Sequence, residues 1–449
     1  MARLFGTDGV RGLANVDLTA PLALELGEAA ARLTIQGRPA SGHKPKAIIG
    51  RDTRISGEFL DHALAAGLAS AGMDVVRVGV VTTPTVAHLT ASSSVDLGVM
   101  ISASHNPMPD NGIKFFAHGG YKLPDQVEDQ IQELLNTSWD RPTGAAVGEV
   151  EYDDDWAEKS YIEHLMTSLG TDLHGLRIAV DCANGGASFL APEAFRQAGA
   201  DAVVINAAPD GRNINDKAGS THPEQLQALT VASEADFGVA YDGDADRCLA
   251  VDRDGNIVDG DKIMGALAVN MRDEGQLAKD TLVVTVMSNL GLILAMQEAG
   301  IKTVQTGVGD RYVLEAMLEG GYSLGGEQSG HIIAKKYATT GDGILSSLLL
   351  ARMVKESGRD LADLTSFIKR LPQTLINVGG VDRSRANTDP VVAEAVAAAE
   401  AVLGNTGRVL LRPSGTEPLV RVMVEAATQS QADGVASRLA DVVKENLAL

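Results

Sequence analysis

Residues 95–104, VDLGVMISAS, align without a gap on residues 235–244, ADFGVAYDGD. Both are short apolar runs of strand character that end in small polar residues. Upstream of each pair lies a second match. Ala71-Gly72-Met73-Asp74 resembles Ala198-Gly199-Ala200-Asp201, and Ala299-Gly300-Ile301-Lys302 is a looser third copy. A chain that repeats itself in this way is built from copies of one supersecondary unit, not from one large core. The intervening pattern says which unit. KAIIG (46–50) precedes an amphipathic stretch from Gly57 to Gly72, and DVVRVG (74–79) and DLGVMIS (96–102) then read as buried strands. RIAVDC (177–182), DAVVIN (201–206) and DFGVAYD (236–242) bracket helical stretches in the same manner, as do TLVVTV (281–286) and YSLGGE (322–327). Such alternation favours βαβ units with parallel pairing. The alignment sets Ser104 opposite Asp244, each just beyond the C-terminal end of its strand, the edge at which α/β sheets bind ligands.

A chain of 449 residues is too long for a single core, and at roughly 100–200 residues per domain its length alone suggests about three. From about residue 372 the rhythm changes: INVGG, an Ala-rich helix over 390–403, RVLLRPSGTEPLVRVMVEA and a final helix read as a small α+β domain. The expected fold is α/β, with three homologous mixed α/β domains (1–150, 151–256 and 257–371) and a smaller C-terminal α+β domain (372–449) around a central cleft.

The formal net charge of −21 speaks against a nucleic-acid partner, which needs a basic surface. In so acidic a chain, clustered basic residues are informative. The two cysteines, Cys182 and Cys248, make no disulfide framework and suggest a reducing compartment. The start, MARLFGTDGVRG, lacks an apolar signal core, and no uncharged apolar run reaches the ~18 residues of a membrane span. The expectation is a cytoplasmic protein without a membrane partner.

Four loops carry candidate chemistry. Ser102-Ala103-Ser104-His105-Asn106-Pro107, followed by Asn111-Gly112-Ile113-Lys114, offers an exposed nucleophile beside polar groups; the plain alternative is a polar turn. Asp242-Gly243-Asp244-Ala245-Asp246-Arg247 can point three carboxylates at one hard cation such as Mg²⁺. An EF-hand is excluded, because its sixth and twelfth positions would be Arg247 and Arg253. Asp254-Gly255-Asn256 reads as a hairpin turn. Gly325-Gly326-Glu327-Gln328-Ser329-Gly330-His331 lets backbone approach a ligand, and Glu327 and Ser329 are types that can bind sugar hydroxyls; a glycine-rich bend is the alternative. Arg412-Pro413-Ser414-Gly415-Thr416-Glu417-Pro418, with Arg421, combines anion-binding N–H groups with cations that clamp phosphate; a hairpin turn with surface arginines is the alternative. Phe5-Gly6-Thr7-Asp8-Gly9-Val10-Arg11-Gly12 and Arg51-Asp52-Thr53-Arg54 are weaker signals that could line the same edge.

In this order and spacing the loops resemble the α-D-phosphohexomutase superfamily over nearly the whole chain, from Phe5 to about Arg421. SASHNP, DGDADR, GEQSGH and RPSGTEP are the most specific elements. FGTDGVRG, GEQSGH, PDGRNIN (209–215), GSTH (219–222) and VGDRYV (308–313) resemble its glucosamine-phosphate branch, the glucose- and mannose-phosphate branch being the closest alternative. The resemblance implies interconversion of glucosamine 6-phosphate and glucosamine 1-phosphate, feeding UDP-N-acetylglucosamine and cell-wall precursor synthesis. It implies that Ser104 carries the phosphoryl group, and that Asp242, Asp244 and Asp246, with Ser104 itself among the ligands, hold one Mg²⁺ per subunit. Glu327 and Ser329 would hold sugar hydroxyls, and Arg412, Ser414, Gly415, Thr416 and Arg421 the non-reacting phosphate. Arg11, Lys114, Arg247 and His331 would assist transfer. A glucosamine or glucose 1,6-bisphosphate would serve as intermediate or activator, and the assembly would be a homodimer.

Overall fold

The structure, a computed structural model, describes residues 3–6, 8–37, 44–414 and 419–449. It divides into two compact units, Met1–Met287 with Ile301–Ser366, and Ser288–Gly300 with Phe367–Leu449.

The larger unit is one motif used three times. Its first sheet runs, in spatial order, Val10–Leu13, Asp110–Ala117, Leu97–Ile101, Lys46–Arg51, Asp74–Val80, Val150–Tyr152. At its centre Lys46–Arg51 pairs in parallel with both Asp74–Val80 and Leu97–Ile101. The same parallel trio recurs as Arg177–Asp181 between Asp201–Ile205 and Phe237–Tyr241, and as Thr281–Thr285 between Lys302–Thr306 and Leu324–Gly326. In every copy the third strand is followed by an antiparallel return: Asp110–Ala117, Cys248–Asp252 and Ile332–Ala334. These returns make the sheets mixed. The connecting segments 102–109, 242–247 and 327–331 are too short for a helical crossover, so the chain turns back at the C-terminal edge of the parallel strands.

The repeat extends to side chains. A Cβ on Gly98 would lie 2.2 Å from Thr90 Oγ1, and one on Gly238 would lie 2.3 Å from Thr230 Oγ1. Each threonine donates to the carbonyl four residues back, Val86 and Leu226, so its hydroxyl is satisfied inside the core. In the third copy Met317 takes the threonine's place, 2.7 Å from where a Cβ of Gly325 would sit. Glycine here is a packing requirement: the helix lies too close to the strand for any side chain.

The hairpin expected at Asp254-Gly255-Asn256 joins Cys248–Asp252 to Ile257–Val258, with Gly255 at φ +87°. Both cysteines are buried and unbridged, and burial pushes both thiols up, which leaves them unreactive.

In the smaller unit Leu419–Glu425 runs antiparallel between Gln373–Gly379 and Arg408–Pro413. The helices Pro390–Leu403 and Gln429–Asn446 close a core of Val420, Val422, Val424, Val435 and Leu439 on that sheet. Four sheets with their helices thus form a four-domain α/β architecture. No helix among the described residues is long and apolar enough to cross a membrane.

Candidate active site

The turn-back loops of the first two domains meet at Ser104. Its hydroxyl donates to Asp242 Oδ2 at 2.5 Å, and His105 Nδ1 lies 3.4 Å from Ser104 Oγ. Asp242, Asp244 and Asp246 are all buried, and one oxygen from each lies within 4.8 Å of the others. Burial, together with the charges of Asp246 and Asp244, pushes the Asp242 carboxyl well above its usual range. Burial acts on Asp246 as well, but His331, Lys114 and Arg247 outweigh it and hold that carboxyl low. Asp244 Oδ1 and Asp246 Oδ1 accept no hydrogen bond among the described residues, a costly state for buried carboxylate oxygens. Three clustered carboxylates with two bare oxygens are a donor set that fits a hard divalent cation.

The neighbouring cations come from all three domains. Lys114, on the return strand after the Ser104 loop, places Nζ 2.8 Å from Asp244 Oδ2, 3.0 Å from Asp8 Oδ2 and 3.8 Å from Asp246 Oδ2. Burial works against its charge, yet these carboxylates hold it firmly protonated. Arg11 pairs with Asp8 and reaches Asn106 Oδ1 at 3.5 Å. Arg247 Nε is 3.7 Å from Asp246 Oδ1. His331 Nδ1 is 3.5 Å from Asp246 Oδ2, and its Nε2 accepts the Gly341 N–H at 3.0 Å. In the neutral ring that backbone donor puts the proton on Nδ1, facing Asp246. Burial works against the charged ring, but Asp246 and Asp310 outweigh it and raise His331. His105 is pushed down to about 4, first by burial and then by Arg247 and Arg11, and is neutral at pH 7.

The third domain's turn-back loop carries Glu327 and Ser329. The Glu327 N–H donates to His331 O and the Gly330 N–H to Glu327 O, which closes a tight turn. Glu327 Oε1 accepts the Gly309 N–H at 3.1 Å, while Ser329 is exposed and its hydroxyl is 3.5 Å from Glu327 Oε2. Both side chains therefore keep polar capacity for a ligand.

In the smaller unit Arg412 and Arg421 face one another across adjacent strands. Like charges so placed oppose folding unless an anion offsets them. The Arg412 guanidinium is depressed by burial and then by Arg421. Arg383 Nη1 donates to Ser414 O at 2.5 Å. Gly415 and Thr416 lie outside the described residues.

Three contributors went unnoticed in the sequence. Thr83 donates its hydroxyl to Asp244 Oδ2 at 2.6 Å and its N–H to Asp244 O at 2.9 Å. It opens the helix Thr83–Ser92, capped by Thr82, so only a capping signal marks it. Asp8 lies inside the quoted N-terminal motif but attracted no role. Lys122 pairs with both Asp8 and Asp310 and so ties the first domain to the third.

Models of the phosphoglucomutase/phosphomannomutase family match almost the whole chain: α/β/α domain I at residues 2–141, domain II at 159–255, domain III at 259–371 and the C-terminal domain at 375–442. The chain belongs to this family of phosphohexomutases, which are isomerases. Among its relatives, the phosphoglucosamine mutase of Bifidobacterium animalis subsp. lactis is 60% identical, with 100% of both chains covered. That of Streptomyces coelicolor is 59% identical, again over 100% of both. At this identity over full length, the phosphoglucosamine mutase branch is the one into which the chain falls. Among solved structures, a phosphoglucomutase/phosphomannomutase family protein from Burkholderia thailandensis is 26% identical with a TM-score of 0.81, covering 100% of this chain and 99% of that one. The Aspergillus fumigatus N-acetylphosphoglucosamine mutase, solved with GlcNAc-6P and magnesium, shares the fold at 20% identity and a TM-score of 0.69, covering 98% and 95%.

Proposed function

We propose that the enzyme interconverts glucosamine 6-phosphate and glucosamine 1-phosphate through a phosphorylated Ser104 and a glucosamine 1,6-bisphosphate intermediate. The observation that carries the reading is the 2.5 Å contact between Ser104 Oγ and Asp242, at the rim of a buried carboxylate triad with two bare oxygens. A serine at the rim of a cation site is where a phosphoryl group can be attached and its charge offset. The substrate class comes from the relatives named phosphoglucosamine mutase.

One Mg²⁺ per chain, held by Asp242, Asp244 and Asp246 together with phospho-Ser104, would neutralise the oxygens of the phosphoryl group in transfer. The remaining work belongs to the protein. Lys114, Arg11 and Arg247 supply fixed positive charge around the group in flight. The substrate hydroxyl attacks phosphorus, the bond to Ser104 Oγ breaks, and the hydroxyl proton passes to a neighbouring base. Lys114, held protonated, can deliver a proton to the departing Ser104 Oγ, while His105 or His331 can take the one released by the substrate. Glu327 and Ser329 orient the sugar by its hydroxyls. Arg412, Arg421 and Ser414, with Gly415 and Thr416, grip the phosphate that is not reacting. After the bisphosphate turns over, the second phosphoryl group returns to Ser104. Glucosamine or glucose 1,6-bisphosphate would recharge a dephosphorylated enzyme. The same reading makes the enzyme a cytoplasmic homodimer with no nucleic-acid or membrane partner.

Turnover of glucosamine, glucose and mannose phosphates, followed alongside release of inorganic phosphate, tests the proposal. Glucosamine phosphates should give the highest kcat/KM without net phosphate release. Equal or better turnover of mannose phosphates, or stoichiometric phosphate release, would overturn it.

A further inference from the structure

We infer that Arg54 is a positioning residue for phosphoryl transfer, its guanidinium setting the backbone of the Ser104 loop so that the serine hydroxyl meets Asp242. The inference rests on the reading of Ser104 as the phosphoryl carrier.

Arg54 is wholly buried at the start of the helix Ile55–Ser70. A guanidinium has five N–H donors in a rigid fork, and here every one is used. Nε donates to Asp52 Oδ2 at 2.9 Å. Nη1 donates to the carbonyls of Pro107 at 2.5 Å and Asp110 at 3.0 Å. Nη2 donates to those of Ser104 at 3.0 Å and Asn106 at 2.8 Å. One side chain thus gathers four carbonyls from a single short loop.

The other end of the Ser104 peptide is held by the same ion pair. Asp52 Oδ2 accepts the Ser102 hydroxyl at 2.7 Å, and Ser102 Oγ accepts the Ser104 N–H at 2.9 Å. The N–H and the C=O of Ser104 are therefore both tied back to the Asp52–Arg54 pair. Ser104 also sits at φ +52°, a left-handed conformation that a side-chain-bearing residue keeps only when its surroundings impose it. Asn215 of the second domain adds Nδ2 contacts to the same carbonyls, 2.9 Å to Ser104 and 3.1 Å to Asn106. A lysine would keep the charge but lose the fork, since one ammonium cannot span four separated carbonyls.

The test is Arg54→Lys in the full-length enzyme, with circular dichroism and thermal melting to establish folding. Per folded molecule, kcat should fall roughly 100-fold with KM for glucosamine 6-phosphate nearly unchanged, as expected when a reacting group is displaced by about 1 Å. Phosphorylation of Ser104 by glucose 1,6-bisphosphate, followed by mass spectrometry, should slow in proportion. Ser102→Ala cuts only the link to the Ser104 N–H and should lower kcat about 10-fold in the same pattern, less than the Arg54 change because the carbonyl contacts remain. If Arg54→Lys does not fold, Ser102→Ala decides. Unchanged kcat per folded enzyme, or a loss confined to KM, would overturn the inference. Ser104→Ala in parallel separates the two readings. Turnover surviving that change would sink the phosphoserine itself, whereas an inactive Ser104→Ala beside a fully active Arg54→Lys would sink only the role of Arg54.

Discussion

Lys114 Nζ lies 2.8 Å from Asp244 Oδ2, so an ammonium contributed by the first domain is the nearest cation to the carboxylate triad of the second. Both side chains are buried, and neither charge has water to fall back on. Breaking such a pair by removing one partner costs about 3–5 kcal/mol. Lys114→Met should therefore lose stability on that scale in excess chelator, measured by denaturant unfolding. Added divalent cation should restore part of it, because the cation replaces the missing charge. Equal loss with and without divalent cation would show that the triad binds none.

Asp244→Asn makes the complementary change. The amide keeps the shape but weakens a hard-cation site, and it loosens the contacts to Lys114 and Thr83. The protein should stay folded and lose most of its Mg²⁺-dependent turnover, with a higher Mg²⁺ concentration needed for half-maximal rate. Near-normal turnover of the unmodified enzyme in excess chelator would contradict the metal assignment for all three aspartates.

The repeat made much of this site legible. Matching VDLGVMISAS with ADFGVAYDGD placed Ser104 and Asp244 at equivalent strand ends, and the strands lie where that alignment sets them. Equivalence by pseudo-symmetry is not contact, however: the hydroxyl of Ser104 meets Asp242, because the two loops converge without superposing. Lys114 was legible in the motif Asn111-Gly112-Ile113-Lys114 and through the family resemblance. Arg54 is only a weak edge signal in the sequence, Asn215 only part of PDGRNIN, and Thr83 is not marked at all. Each looks locally like a helix start or a turn, and its function is a contact with residues more than a hundred positions away or across a loop. Glu327 and His331 were legible in a glycine-rich loop offered as a sugar site, while the antiparallel return that makes it the counterpart of the Ser104 loop comes from the strand pairing.

Arg412 and Arg421 oppose each other across a hairpin, a pairing that favours an anion between them over an empty site. If they hold whichever phosphate is not reacting, Arg421→Ala should raise KM for glucosamine 6-phosphate and glucosamine 1-phosphate alike. Losing a charge-assisted hydrogen bond of roughly 1.5–3 kcal/mol corresponds to about a 10- to 150-fold weakening, less where Arg412 substitutes. A rise in KM for one substrate alone would mean that each orientation uses its own phosphate site.

His88 and His164 stack with ring centroids 4.2 Å apart. Burial, and then the His164 charge, pushes His88 from 6.5 down to about 4, and burial lowers His164 as well. Folding therefore favours the neutral rings: between pH 6.5 and about 4 the unfolded chain binds more protons than the folded one. Their stabilisation is fully present above pH 6.5 and is lost as pH falls toward 4. His88→Gln should shrink the stability difference between pH 7 and pH 4.5 by up to about 2 kcal/mol, read from denaturant unfolding at both values. An unchanged difference would mean that the stack does not titrate in this window.

The most direct test of the central claim is to find where the phosphate resides. Native enzyme exposed to labelled glucosamine 1,6-bisphosphate should carry the label on Ser104, located by mass spectrometry, and should pass it to glucosamine 6-phosphate. Ser104→Ala should neither take up label nor turn over substrate, while Ser102→Ala should still be labelled. Label on Ser102, or turnover that survives Ser104→Ala, would contradict the account.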